Sequence, residues 1–346
     1  MVVLGIDAHK RTHTVVAVDE AGRQLGVKVT QATSTAAHLE LVWWADRFGA
    51  ERRWAVEDCR HLSRRLEADL LAAGEQIARV PPKLMAQARA SARTYGKSDP
   101  IDALAVARAA LREPGLPAAR LDGPERELRL LADHREDLVA ERTRAICRLR
   151  WHLHELDPGW DPAPRSLASR KNQAAVAARL AAMTGMVAAI AADITARITA
   201  LSTGIAELER QISARVQVLA PALLAVTGVA GLTAAKLVAQ TAGITRFKSK
   251  DAWARHNGTA PLPAWSANRT RHRLSRTGNR QLNCAIHRIA ITQKRCHPPA
   301  QAYLARRAAA GDTPTEALRA LKRRLSDIIY RALLADSTTT PLTQAP

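Results

Sequence analysis

Four acids in this chain combine a chemistry and a placement that suit metal ions. Asp7 closes a short apolar run at residues 2–6, and Glu57 closes another at 54–56. Asp99 and Asp102 stand three apart at the start of a helical pattern, so both carboxylates face the same way. Hard divalent cations take carboxylate oxygens as ligands, and Mg2+, with Mn2+ as a substitute, is the ion this set predicts. Two such ions side by side would clamp the attacking and leaving oxygens of a phosphodiester. Taken singly, the residues are less specific. Asp99 also reads as a helix cap, and Asp102 as a first-turn acid favoured by the helix dipole. Asp58 follows Glu57, and only pairing with Asp7 singles Glu57 out. Asp7 is the hardest to explain otherwise, because a charge that ends an apolar strand needs a partner.

The elements that must position these acids alternate over residues 1–115. Apolar runs at 2–6 and 14–18, then the alternating Leu25, Val27 and Val29, read as a three-strand meander turned by Asp19-Glu20-Ala21-Gly22. A helix at 35–48, a buried strand at 54–56 and a helix at 62–73 closed by Gly74 follow. A strand at 77–80 stops at Pro81-Pro82, and two helices complete the region, the second opening at Ser98-Asp99-Pro100. This order predicts an α/β domain with a mixed sheet and helices on its faces.

Residues 114–124 form a linker rich in proline and glycine. Two long apolar patterns then fill 122–220: spaced leucines from Leu128 to Leu156, and a stripe from Val187 to Leu219 in steps of three and four. Prolines at 158–164 separate them, which predicts an antiparallel coiled coil serving as a spacer or dimerisation arm, with a compact helical domain as the alternative. Residues 221–335 read as a mainly α domain. Its segment 224–235 has the small residues of a helix-hairpin-helix-like turn, in which Gly228 and Gly231 would offer backbone amides to DNA. Thr313 and Glu316 make a capping box, and the Ser/Thr/Pro tail at 336–346 is expected to be disordered.

Charge narrows the partner. The chain carries 52 Lys+Arg against 32 Asp+Glu, a net charge of +20, which predicts a polyanion. A generally basic protein from an arginine-using proteome is the less favoured alternative. Residues 246–295 concentrate the excess, with twelve Lys/Arg and one acid, Asp251. Arg269, Arg271, Arg273, Arg276 and Arg280 suit phosphate contacts. Trp253 reads as core, while Trp265 suits core packing and base stacking about equally. Apolar windows interrupted by charges imply no membrane span. Four scattered cysteines without a CxxC pair imply free thiols in a reducing cytoplasm.

Two motif sets together resemble a known family. Gly5-Ile6-Asp7-Ala8-His9-Lys10 with His13, then Val56-Glu57, then Lys97-Ser98-Asp99-Pro100-Ile101-Asp102-Ala103 are similar to the DEDD motif of the IS-one-ten family of insertion-sequence transposases. Val226-Thr227-Gly228-Val229-Ala230-Gly231, Asn257-Gly258, Pro261, Ser266 and Thr277-Gly278-Asn279-Arg280-Gln281-Leu282 resemble that family's C-terminal transposase domain. The resemblance spans roughly residues 1–335 in the family's order. It implies a RuvC-like N-terminal domain within the ribonuclease H fold, with Asp7, Glu57, Asp99 and Asp102 as metal ligands. It also implies that Ser266 attacks DNA to form a covalent serine–DNA intermediate. A structured bridge RNA would guide the reaction by pairing with donor and target double-stranded DNA. Lys10, Gly228, Gly231, Asn279 and the five arginines become nucleic-acid contacts, and a homo-oligomer, dimer or tetramer, is expected in the bacterial cytoplasm at the nucleoid. Where the family usually has Ser-Gly this chain has Ser266-Ala267, and Lys97-Ser98-Asp99 replaces Lys-Thr-Asp.

Two other classes compete. A RuvC-like metal-dependent nuclease or junction resolvase would share the acids but use water in place of Ser266. A nucleic-acid-binding protein without activity would not need all five residues intact, as they are here.

Overall fold

The computed structural model describes residues 1–57, 60–81, 84–85, 88, 98–113, 115–116, 118–119, 123–163, 165–266, 269–273 and 278–339; at 60–61, 264–266, 269–273 and 339 it describes the backbone alone. The chain forms two compact units, Met1–Asp122 and Gly123–Pro346.

In the first unit β1 (Val2–Ala8), β2 (Thr12–Val18) and β3 (Gln24–Gln31) form the expected antiparallel meander. Strands β4 (Arg52–Glu57) and β5 (Ile77–Val80) add in parallel on the other side of β1, giving a mixed sheet of order β3-β2-β1-β4-β5. Alternation along the strands sorts the core into two layers. Leu4, Ile6, Val15, Ala17, Trp54 and Val56 pack against α1 (Thr35–Asp46) and α2 (Arg60–Ala72). Val3, Val16, Val18 and Ala55 face α3 (Asp99–Arg112), whose small residues Ala103, Ala107 and Ala110 let it lie close. At Gly5 that approach is extreme. A Cβ there would stand 2.2 Å from the Ala103 carbonyl oxygen and 2.4 Å from the Ala107 nitrogen, so the α3 backbone rides directly on β1.

Three local outcomes refine the sequence expectations. Gly74 closes α2 at φ +84°, as its position beyond the helix predicts. The alternation of Leu25, Val27 and Val29 is real, yet this apolar face of edge strand β3 is exposed, because α3 packs on the neighbouring strands. The helix expected before Ser98 falls largely outside the described residues.

The second unit is mainly helical. Helices α4 (Pro124–Leu156) and α6 (Met186–Leu219) lie antiparallel: Arg215 pairs with Glu127, Arg135 with Glu209 and Arg197 with Glu141. The connection between them is not merely broken. It holds α5 (Arg170–Ala181), whose Val176 and Leu180 join Leu149, Leu153, Ile194 and Ile198 in a small core. By length and composition α6 is apolar enough to cross a membrane; here its stripe packs on α4 and α5.

Beyond it come α7 (Pro221–Leu224), α8 (Gly231–Thr241), α9 (Lys250–His256), a hairpin of β6 (Leu262–Ser266) and β7 (Arg269–Arg273), then α10 (Arg280–Cys296), α11 (Pro298–Ala309) and α12 (Pro314–Thr339). Leu128, Ile212 and Val216 join Leu237, Trp253, Ile286 and Leu325 in one core, so the ends of the long helices are part of this domain. The capping box forms as expected, with Thr313 N–H donating to Glu316 and Glu316 N–H to the Thr313 hydroxyl. The tail expectation needs correction. Helix α12 continues past Asp336 to Thr339, because the buried Asp336 carboxylate accepts the Ala222 and Leu223 amides at 2.8 and 3.1 Å and so caps α7. Residues 340–346 lie outside the description.

Candidate functional site

The crossing of α3 over Gly5 brings the first turn of that helix to the C-terminal end of β1. Asp7 and Asp102 are both 7% exposed there. A tight turn, His9 N–H to the Thr12 carbonyl at 3.1 Å, holds His9 on the same side two residues beyond Asp7. His9 Nε2 lies 2.9 Å from Asp7 Oδ2 and 3.5 Å from Asp99 Oδ1. One ligand atom from each of Asp7, His9 and Asp99 falls within 4.8 Å of the others. Burial pushes the Asp7 carboxyl above the usual carboxylate range; His9 opposes this, and the charges of Asp102 and Asp99 add to it.

Asp7 and Asp99 therefore come together on either side of His9, and Asp102 stands close enough to act on the charge of Asp7. Glu57 ends β4 one position beyond the Ile6–Val56 register pair, on the strand face shared with Asp7, but outside the closest three-residue group. Period-two alternation is what puts both acids on the α3 face. His9 is the residue that spacing alone does not single out. Its signal is an Asp-x-His step along one strand face, which acquires meaning only when Asp99 arrives from α3. Lys10 is exposed in the same turn.

A second constellation occupies the C-terminal unit. Ser266 is the last residue of β6 and pairs with Arg269, the first of β7. By register, Arg271 pairs with Ala264 and Arg273 with Leu262, so Ser266 and these three arginines share one face of the hairpin. Arg276 lies outside the described residues, and Arg280 is exposed at the start of α10.

The base of the hairpin is fixed by two small-residue motifs meeting each other. A Cβ on Gly278 would stand 2.4 Å from the Gly258 Cα and nitrogen. Asn279 N–H donates to the His256 carbonyl at 2.7 Å, its Oδ1 accepts the Gln281 and Leu282 amides, and its Nδ2 donates to Gln240. Asn279 thus caps α10 and ties it to α8. Buried Asn257 donates to the Ser326 hydroxyl at 2.9 Å, and its carbonyl accepts from Asn283, which in turn accepts from Lys322 at 2.6 Å. Burial lowers the Lys322 ammonium from its ordinary value.

The α7–α8 turn shows why its glycines are there. Gly228 sits at φ +88° against Ile289 and Thr292 of α10, and a Cβ on Gly231 would stand 2.9 Å from the Ser213 hydroxyl. Trp253 is fully buried, as expected for a core residue.

Comparison with known proteins follows the same two constellations. Residues 4–158 match the family model of the IS110-type DEDD transposase, and residues 220–305 match that of the transposase IS116/IS110/IS902 family. The chain is 29% identical over 380 residues to an insertion element IS116 protein of 44.8 kDa from Streptomyces clavuligerus, covering 96% of this chain and 94% of that one. It is also 29% identical over 382 residues to a 42 kDa protein of insertion element IS900 from Mycobacterium paratuberculosis, covering 96% and 95%. Among solved structures, Thermus thermophilus RuvC is similar over 34% of this chain and 100% of its own, at 20% identity and a TM-score of 0.28. RuvC of T. thermophilus in complex with Holliday junction substrate is similar over 33% and 94%, at 19% identity and a TM-score of 0.27. With each motif set matched by its own family model, in order along a chain that aligns nearly end to end with insertion-element proteins, this protein belongs to the IS116/IS110/IS902 family of transposases.

Proposed function

We propose that this transposase cuts and rejoins DNA strands, with a divalent-cation site at Asp7, Glu57, Asp99 and Asp102 and with Ser266 as the attacking nucleophile. The observation that carries the first part is the meeting of Asp7, His9 and Asp99 within 4.8 Å at the end of β1. The donor set fits a cation. Three aspartates crowd a half-buried corner, and both the burial that chiefly raises Asp7 and the smaller repulsion from Asp102 and Asp99 are what a positive ion would offset. A bound Mg2+ or Mn2+ would stabilise charge developing on the phosphodiester oxygens. His9 would add a nitrogen donor to that set, which Mn2+ accepts more readily than the oxygen-seeking Mg2+.

The chain's own residues supply the rest. The Ser266 hydroxyl oxygen would form a bond to phosphorus and give up its proton, while the deoxyribose oxygen departs with the electron pair of the broken P–O bond and takes a proton. Attack by another strand's hydroxyl would reverse this and release the serine. The register pairing of Ser266 with Arg269, on a face with Arg271 and Arg273, supports a role for those side chains in neutralising the phosphate under attack. Guidance by a structured RNA and assembly as a dimer or tetramer belong to the same proposal.

Two variants test it. Asp7→Asn should lower strand cleavage by a factor of roughly a hundred or more while DNA retention on a filter persists. Ser266→Ala should bind DNA yet give no covalent protein–DNA band on a denaturing gel. A fully active Asp7→Asn chain, or an adduct from Ser266→Ala, would overturn the corresponding assignment.

A further inference from the structure

We infer that the outward stripe of α4 at Arg144, Arg148 and Trp151 is a docking surface for unpaired DNA, separate from both constellations above. Trp151 is 76% exposed, the most exposed large hydrophobic side chain among the described residues. It points away from the α6 seam, where Leu149 and Leu153 of the same helix are buried. Arg148 lies one turn before it and Arg144 two, so the three side chains align on one face, with Cys147 exposed between them.

The charges on this stripe are unlike those elsewhere on the long helices. Arg129, Arg135 and Arg150 of α4 and Arg197, Arg210 and Arg215 of α6 each pair with an acid. Arg144 and Arg148 have no ion pair or hydrogen bond among the described residues. The nearest acids along the helix are taken by other partners: Glu141 pairs with Arg197 at 2.6 Å, and Glu155 lies 3.8 Å from His152. The charge pattern of α4 also changes along its length: its six acids before residue 142 give way to Glu155 alone, while arginines continue at 142, 144, 148 and 150.

Guanidinium groups left without a counter-ion beside a solvent-facing indole suit a phosphate backbone whose bases have free faces. A duplex keeps its bases stacked and offers the indole little, whereas an unpaired strand offers a stacking partner. A second copy of this chain is a poor occupant, because a two-fold contact would bring the same arginines face to face. The inference rests on DNA being the substrate, as proposed above.

The test is photo-cross-linking of the full chain to a short oligonucleotide carrying 5-iodouracil. Single-stranded DNA should label the peptide containing Trp151, and the same sequence as duplex should label it far less. Trp151→Ala should weaken single-strand binding on the order of tenfold, with Trp151→Phe recovering most of it. Arg144→Gln and Arg148→Gln should each reduce the salt dependence of single-strand binding by about 0.7 in log–log slope. Equal labelling by duplex, labelling by RNA in preference to DNA, or an unchanged affinity in Trp151→Ala would overturn the proposal. So would a Trp151→Ala chain that changes only its oligomeric state. Asp7→Asn separates the two readings: it should leave the cross-link intact, and an Asp7→Asn chain that still cuts DNA would remove the metal-site reading without touching this stripe.

Discussion

His13 sits on the sheet face opposite Asp7, stacked on His38 at a ring separation of 5.7 Å, and neither of its ring nitrogens has a hydrogen-bond partner among the described residues. Burial first, then the neighbouring His38 and His9, lower it to about 4 from 6.5. The unfolded chain therefore takes up this proton before the folded one does. Its contribution is fully present above pH 6.5 and is lost as pH falls from there towards 4, by up to about 3 kcal/mol. Urea unfolding of the whole chain at pH 7 and pH 4.5 should show that loss, and His13→Phe should reduce it; equal losses in both would contradict the assignment. Sequence alone gives a different picture of this residue. His13 stands beside the Asp7 motif in the chain, but strand alternation sends the two to opposite faces. His9, with the same parity as Asp7, is the histidine that reaches the acids. Residue type and proximity made both visible, and only the parity of the strand, together with the arrival of α3, tells them apart.

Among the elements, the strands were the most legible, because short apolar runs ending at Asp7, Glu57 and Pro81 leave little freedom in where a strand stops. Crossings were not legible. Nothing in local spacing states that α3 passes within backbone contact of Gly5, yet that contact is what carries Asp99 and Asp102 to β1. Gly5→Ala should therefore do two things at once. It should cost about 3 kcal/mol in urea unfolding, since the new methyl must displace helix backbone rather than a flexible side chain. It should also weaken cation binding, measured by calorimetry with Mn2+, although residue 5 bears no ligand. A Gly5→Ala chain with native stability would show that α3 can move aside. The C-terminal hairpin was harder still to foresee. A proline- and arginine-rich stretch gives no strong strand signal, and the Gly258–Gly278 contact joins positions twenty residues apart in sequence.

At the scale of the whole molecule, the acids belong to one compact unit and Ser266 to the other. A site assembled between protomers is then testable without knowing the assembly. Mixing an Asp7→Asn chain with a Ser266→Ala chain should restore part of the activity that neither has alone, because one combination of intact halves is regained. If each variant is inactive and the mixture is too, the serine and the acids act within a single chain.

The antiparallel pair of α4 and α6 has a further consequence, in terms of length and phase. At about 1.5 Å per residue, the 33 residues of α4 span roughly 50 Å. Its level can be marked, since Gly204 of α6 faces Leu138 of α4. Seven residues added to both helices at that level would lengthen the arm by about 10 Å while turning its far end by only about 20°. Five residues in each would turn it by roughly 140° and set every ion pair beyond the insertion out of step. Circular dichroism melts should show cooperative unfolding preserved in the first chain and lost for the distal core of Leu149, Leu153 and Ile198 in the second. The arm is a ruler that can be extended only in whole divisions.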